Sequence, residues 1–394
     1  MSITIREFLA ENTLTREVVD RFLDPDANNW ATFDPDLGFV RKNSIVRDGL
    51  GWCYTRCTYR PTGERTTVNY ADRNCRINSY GDSFTHCDQV SDGETWQEYL
   101  AAHLGEPIRN FGVGSYGFYQ AYRRMLKEEQ TESSAEYIIL NIFDEDHCRS
   151  LYQWRALHMK PHFWPGVRES VASPDVFLFH GNPWAYLRLN PDTGQFEERE
   201  NEWSTPDSLY QLCDQEYVYE TFKDNFDIQV FLAQQLAADV DFKMLARHAE
   251  ALEVPPEFST PAESARTAEV LLNTCALDAS ISVLDKARAF ASQEGKQLMI
   301  LLTYSIPTVI AGCEGRDRFD QKIVDYLIEN EFLFVDMLGK HVEDFQAFRC
   351  TPEEYVKRYY VGHYGPLGNH FLAFSLKDAM RRWLDPEPPA YNGF

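Results

Sequence analysis

Residues 137–143 read YIILNIF and residues 296–304 read KQLMILLTY. Runs this short and this apolar lack the polar stripe of a surface helix and the alternation of a half-exposed strand. They suit strands buried on both faces, which belong to parallel sheets covered by helices. Three further short runs have the same look: INSYG at 77–81, IRNFG at 108–112 and FLFVDML at 332–338. Between them lie helical patterns. In 94–104 the apolar residues Trp96, Tyr99, Leu100 and Leu104 fall at helical spacing, and 115–129 and 319–331 read the same way. Five buried strands interleaved with helices predict a three-layer α/β/α sandwich with a five-stranded parallel sheet.

The rest of the chain decorates that rhythm. Residues 1–75 read as an N-terminal extension, with short helices to about residue 30, then loops and a hairpin near TTVNYA. The α/β domain takes 76–160 and 261–394. Residues 161–260 read as an insertion or cap, with a β-hairpin turning at Asn190-Pro191-Asp192-Thr193-Gly194, a helical stretch over 226–252 and a linker at VPPEFSTP. A helix over 280–295 ends near Gly295. Thr351 and Glu354 form a capping-box pattern. The last helix stops before Asp385-Pro386.

Composition narrows the class of partner. With 44% hydrophobic and 25% charged residues, the 394-residue chain is neither disordered nor low in complexity. Its 38 basic and 61 acidic residues leave a net charge of −23. That charge argues against nucleic acid and anionic membranes as partners. No window approaches the roughly 18–20 uninterrupted apolar residues of a membrane span. The first residues lack the basic and apolar regions of a signal peptide, so a cytoplasmic location is expected. Nine cysteines without dense pairing read as reduced thiols, and Cys53 and Cys57 lack the second pair that a zinc site needs.

In a parallel sheet, ligands gather at the C-terminal ends of the strands. Three segments there carry chemistry. Gly81-Asp82-Ser83-Phe84-Thr85 follows the first strand and presents a serine at a turn with free backbone N–H groups. The same residues also suit plain turn chemistry. Gly112, Val113, Gly114, Ser115, Tyr116 and Gly117 follow the second strand. They could expose N–H groups to an oxyanion, pack a strand against a helix, or outline a dinucleotide loop, although no acidic ribose ligand follows at the right place. Gly362-His363-Tyr364-Gly365 precedes the last helix and offers an imidazole as a base.

In this order, on this α/β rhythm, the three segments resemble the SGNH hydrolases, the GDSL esterase and lipase superfamily. The resemblance runs over 77–146 and 296–383. It implies Ser83 as the nucleophile of an acyl-enzyme, His363 as general base, and the N–H groups of Ser83 and Gly114 as oxyanion donors. Two positions depart from the family. Asp146, followed by His147, stands where an oxyanion-binding Asn is expected. An ionised carboxylate there would repel the oxyanion, leaving His147 or another donor to substitute. Tyr360 stands where an Asp usually orients the histidine, which leaves a backbone carbonyl or a distant carboxylate such as Asp336 for that task.

The activity implied is hydrolysis of an O-acyl ester, O-acetyl foremost, on a carbohydrate or small polar metabolite, with no cofactor and no metal. Acyl transfer by the same Ser and His, or a ligand-binding protein that has lost the chemistry, are the alternatives. Other residues have competing uses. Asp144, Glu145, Asp146 and His147 could ligate a metal or simply be solvated. Cys87 sits among acidic neighbours that disfavour a thiolate. Ser115 is a rival serine. Trp154, Phe163, Trp164, Trp184, Tyr186 and Trp203 could line a pocket or fill a core. Arg123, Arg124, Arg149 and Arg155 could hold an anion or form ordinary ion pairs.

Overall fold

The computed structural model describes residues 3–27, 30–158, 181–235 and 239–388. Its contacts divide the chain into two compact units, Met1–Val40 with His147–Ser282, and Arg41–Asp146 with Val283–Phe394. This division differs from the sequence-based one. Residues 1–40 pack with the middle of the chain, whereas 41–75 pack with the sheet. The second boundary falls inside one continuous helix, Pro261–Gln293.

The second unit contains the five-stranded parallel sheet. Its strands are β1 (Ile77–Tyr80), β2 (Arg109–Asn110), β3 (Tyr137–Phe143), β4 (Gln297–Thr303) and β5 (Phe334–Asp336), in the order β5-β4-β3-β1-β2. All four pairings are parallel. Every residue of β3 is buried, so both faces of the sheet are covered, as the near-continuous apolar run predicts. Tyr137 pairs with Ile77 on one side and Gln297 on the other, which aligns the three central strands. The strand order reverses between β1 and β3, and in doubly wound sheets that reversal opens the ligand crevice.

Several helices begin and end as the sequence dictates. Trp96–Leu104 is capped by Thr95, whose side chain accepts from Glu98 N–H, and stops at Gly105 with φ 75°. Pro352–Val356 carries the expected Thr351–Glu354 capping box. Pro366–Trp383 places its proline at the first helical turn. The strand expected over 332–338 is cut short: Asp336 caps the next helix by accepting from Leu338 N–H. The expected hairpin lies at Ser44–Arg47 and Tyr54–Cys57 instead of at TTVNYA. There the N–H groups of Val68 and Asn69 donate to the Glu98 carboxylate (2.9 and 2.6 Å), so a side chain replaces a strand partner.

The described part of the first unit is helical around two short two-stranded sheets, Ala31–Asp34 with Gly38–Arg41 and Tyr186–Asn190 with Gln195–Arg199, the second turning where the sequence places it. The stretch over 226–252 forms two helices, Phe226–Gln234 and Phe242–Ala251, the second capped by Asp241. Pro261–Gln293 has 33 residues and by length and composition suffices to cross a membrane. Yet Ala268, Leu271, Cys275, Ala276, Ala279, Val283 and Ala287 on it are buried in protein, as on a core helix. None of the nine cysteines forms a disulfide, and Cys57, Cys87 and Cys275 are buried.

Candidate active site

The C-terminal edge of β1 and β2 is built by an extension of their pairing. Phe111 N–H donates to Ser79 O (2.9 Å) and Val113 N–H to Gly81 O (3.0 Å). The loop after β2 therefore runs beside the turn that carries Ser83. Gly112 makes this possible. A Cβ on it would lie 2.2 Å from His86 N and 2.6 Å from Thr85 C, so any side chain would collide with the backbone of the Ser83–His86 helix.

Asp82 anchors the turn. Its Oδ1 accepts from Phe84 N–H (2.9 Å) and Asn141 Nδ2 (3.3 Å), and its Oδ2 accepts from Ser83 Oγ (3.1 Å). Asn141 in turn accepts from Thr303 Oγ1 (3.1 Å), so a buried polar string joins the ends of β1, β3 and β4. Among the described residues, neither Ser83 N–H nor Gly114 N–H has an acceptor, and both residues are buried. Buried amides normally find a partner. Two unpartnered ones at this strand edge are free to bind an oxygen anion.

The backbone here is strained. Of the seven non-glycine residues with positive φ among the described residues, three lie at this edge: Cys87 (64°), Gln89 (71°) and Ser115 (82°). Left-handed backbone at such residues persists only where surrounding structure enforces it, and it clusters at functional sites.

A buried charge cluster sits against Gly114. A Cβ on Gly114 would lie 2.7 Å from Asp88 Oδ2 and 3.7 Å from Arg41 Nη2. Asp88 pairs with Arg41 and, at 2.5 Å, with His86 Nδ1. Tyr59 OH meets His86 Nε2, and the two rings stack. Burial, then the charge of Arg41, pushes His86 down to about 3, so the imidazole is neutral. Burial pushes the Asp88 carboxyl up, but Arg41 and His86 outweigh it and hold the group well below the carboxylate range. Burial pushes the Tyr59 phenol up, so it keeps its proton and donates to His86.

His363 lies in the loop between Pro352–Val356 and Pro366–Trp383. Its ring centroid is 5.3 Å from that of Phe84, the residue after Ser83. Phe84 also stacks on Phe143 at the end of β3 (4.4 Å) and meets Tyr364 edge-on (5.2 Å). The neighbourhood of Ser83 and His363 is thus set by aromatic packing. No hydrogen bond joins the two residues: Ser83 Oγ donates to Asp82, and His363 Nδ1 meets Gln89 Oε1 at 3.1 Å.

The remaining predicted residues fall as follows. Asp146 is buried, and its Oδ2 accepts from Phe143 N–H (3.0 Å), closing the turn after β3. His147 belongs to the other unit, where Nδ1 meets Ser280 Oγ at 2.7 Å. Asp336 is committed to Arg318 (2.7 Å) and to Leu338 N–H, not to His363. Tyr360 donates to Tyr304 O (2.9 Å).

Asp144 accepts from Ser305 N–H and Oγ and from Thr308 Oγ1; burial raises its carboxyl to about 6 against those bonds. Asp144, Asp146 and His147 are thus committed to different partners. Among the described residues no three His, Cys, Asp or Glu side chains group to hold a metal ion. Burial pushes the Cys87 thiol up to about 12, which keeps it protonated. Trp154, Trp184, Tyr186 and Trp203 are buried within the first unit; Trp154 and Trp203 both pack on Phe222. Phe163 and Trp164 lie outside the described residues. Arg124 donates to Gly63 O (2.8 Å) and Arg123 to Tyr119 OH (3.4 Å).

Sequence reasoning gave no site role to Asn141, Asp88, His86, Tyr59, Arg41 or Gln89. Asn141 had a signal, because it is the one polar residue within YIILNIF. Tyr59 and Arg41 had none, since they come from another segment, and His86, Asp88 and Gln89 follow Ser83 directly but act through partners that only folding brings to them. No family model matches the chain, and no curated protein is significantly similar to it.

Proposed function

We propose that the chain is a serine hydrolase of the SGNH type that cleaves an O-acyl ester, O-acetyl foremost, on a carbohydrate or small polar metabolite. The observation that carries this reading is the pair of unpartnered N–H groups of Ser83 and Gly114 at the end of β1 and β2.

In the proposed reaction Ser83 Oγ leaves Asp82 and attacks the ester carbonyl, while His363 Nε2 takes its proton. The carbonyl oxygen becomes an anion held by the two N–H groups. Its collapse expels the alcohol, which takes the proton from His363 and leaves an acyl-Ser83. Water, deprotonated by His363, then attacks the acyl carbon, and His363 returns the proton to Ser83 Oγ as the acid leaves. Beside Gly114 the cluster also holds ionised Asp88. Arg41 neutralises that carboxylate beside Gly114.

A second reading, a ligand-binding protein on the same fold, is favoured by the Ser83 hydroxyl donating to Asp82 and not to His363. A rate assay separates the two. A hydrolase liberates acetate from p-nitrophenyl acetate with no added acceptor. A transferase requires an acceptor alcohol. A binding protein does neither, yet its Tm rises with ligand.

A further inference from the structure

We propose that Gln89 is a positioning residue that fixes His363 in the Nδ1–H tautomer and thereby leaves Nε2 as the basic nitrogen. This rests on the reading of His363 as general base.

The assignment follows from a count of donors and acceptors around one amide. Gln89 Nε2 lies 3.1 Å from Asp48 O and 3.4 Å from Val361 O. Two carbonyl oxygens can be satisfied only by an NH2 group, so the amide orientation is set from behind. Its Oε1 must then face His363, where it accepts from the backbone N–H (2.6 Å) and meets Nδ1 at 3.1 Å. An amide oxygen accepts only. Nδ1 must carry the proton, and in the neutral ring Nε2 then holds the lone pair. Nε2 engages no group among the described residues.

The backbone is shaped for this contact at both ends. Gln89 adopts φ 71°, unusual for a residue with a long side chain. Gly362 has φ 130°, and a Cβ on it would lie 2.7 Å from Gln89 Oε1. Only glycine lets the amide approach the His363 backbone so closely. Neither Tyr360 nor Asp336 is bonded to the ring, so Gln89 fills the orienting place that both leave open.

The test reads the tautomer directly. In full-length protein with 15N-labelled histidine, long-range 1H–15N correlations at pH 8 report which ring nitrogen is protonated; the His363 signal is assigned by its loss in His363→Gln. The expected wild-type pattern has Nδ1 protonated and Nε2 pyridine-like. In Gln89→Leu the pattern should move toward Nε2–H. The kcat on p-nitrophenyl acetate should fall at least about tenfold with KM unchanged. Gln89→Glu keeps the acceptor while giving up both donations. It should retain the Nδ1–H pattern and move the acid limb of kcat/KM to higher pH, because a carboxylate on Nδ1–H favours the imidazolium. A wild-type Nε2–H pattern, or an unchanged pattern in Gln89→Leu, would overturn the proposal. If Gln89→Leu fails to fold, the wild-type pattern and Gln89→Glu still decide it. An Nδ1–H wild type that turns over no ester would uphold Gln89 and overturn the hydrolase reading.

Discussion

Two imidazoles stand near Ser83, and they are held in opposite ways. His86, on the same short helix, is fully buried and engaged at both nitrogens, by Tyr59 and by Asp88. His363 is half-buried and engaged at Nδ1 alone. A histidine bonded at both ends has no lone pair to offer and serves as a strut. One that is tethered at one nitrogen and open at the other is arranged for proton transfer. Position in the sequence points the wrong way here, since His86 lies three residues from Ser83 and His363 lies in a distant loop.

The largest expected effect tests that contrast. Ser83→Ala and His363→Ala should each lower kcat/KM on a small acetyl ester by at least ~10³, as members of one nucleophilic unit do. His86→Leu should leave folded protein within about tenfold of wild-type kcat, since neither of its nitrogens takes part in the proposed reaction. A thousandfold loss in folded His86→Leu would reverse the roles of the two histidines.

The strut itself is tested next. Asp88→Asn breaks the buried Arg41–Asp88 pair, and stability should fall by about 3–5 kcal/mol in urea unfolding. A loss below about 1 kcal/mol would mean that the pair is effectively solvated.

A smaller effect appears in the pH dependence of stability. Burial lowers both His86 and His341 to about 3 from 6.5. Between those values the unfolded chain binds two protons that the folded chain refuses, so acidification below pH 6.5 destabilises the fold. Asp144 works the other way. Its carboxyl is raised to about 6 from 3.8, so between these values the folded form holds the extra proton and gains stability as pH falls. Asp144→Asn should therefore steepen the loss of unfolding free energy between pH 6 and 4 by up to about 1.4 kcal/mol per pH unit. An unchanged slope would contradict the burial-driven shift of Asp144.

The framework was legible because burial on two faces leaves a continuous apolar signature, and β3 and β4 carry it without ambiguity. Strand ends were less so: β5 is shortened because Asp336 is recruited as a helix cap, a local competition that an apolar run does not record. Ser83, Gly114 and His363 could be singled out because turn glycines and polar residues stood at strand ends. Gln89 and Asp88 could not, because their roles depend on loops that meet only after folding. The same holds for Asp146, whose carboxylate serves the turn after β3 by accepting from Phe143 N–H. The smallest predicted effect follows from that bond. Asn can accept the same N–H, so Asp146→Asn should keep the fold and leave ester turnover equal or raised. A complete loss with an unchanged Tm would give Asp146 a chemical role of its own.

The most direct test of an activated Ser83 is intact-mass spectrometry of wild type and Ser83→Ala after treatment with a fluorophosphonate. The expected result is a single phosphonyl adduct on wild type and none on Ser83→Ala. An unmodified folded wild type, or an adduct that persists in Ser83→Ala, would contradict the assignment of Ser83 as the nucleophile.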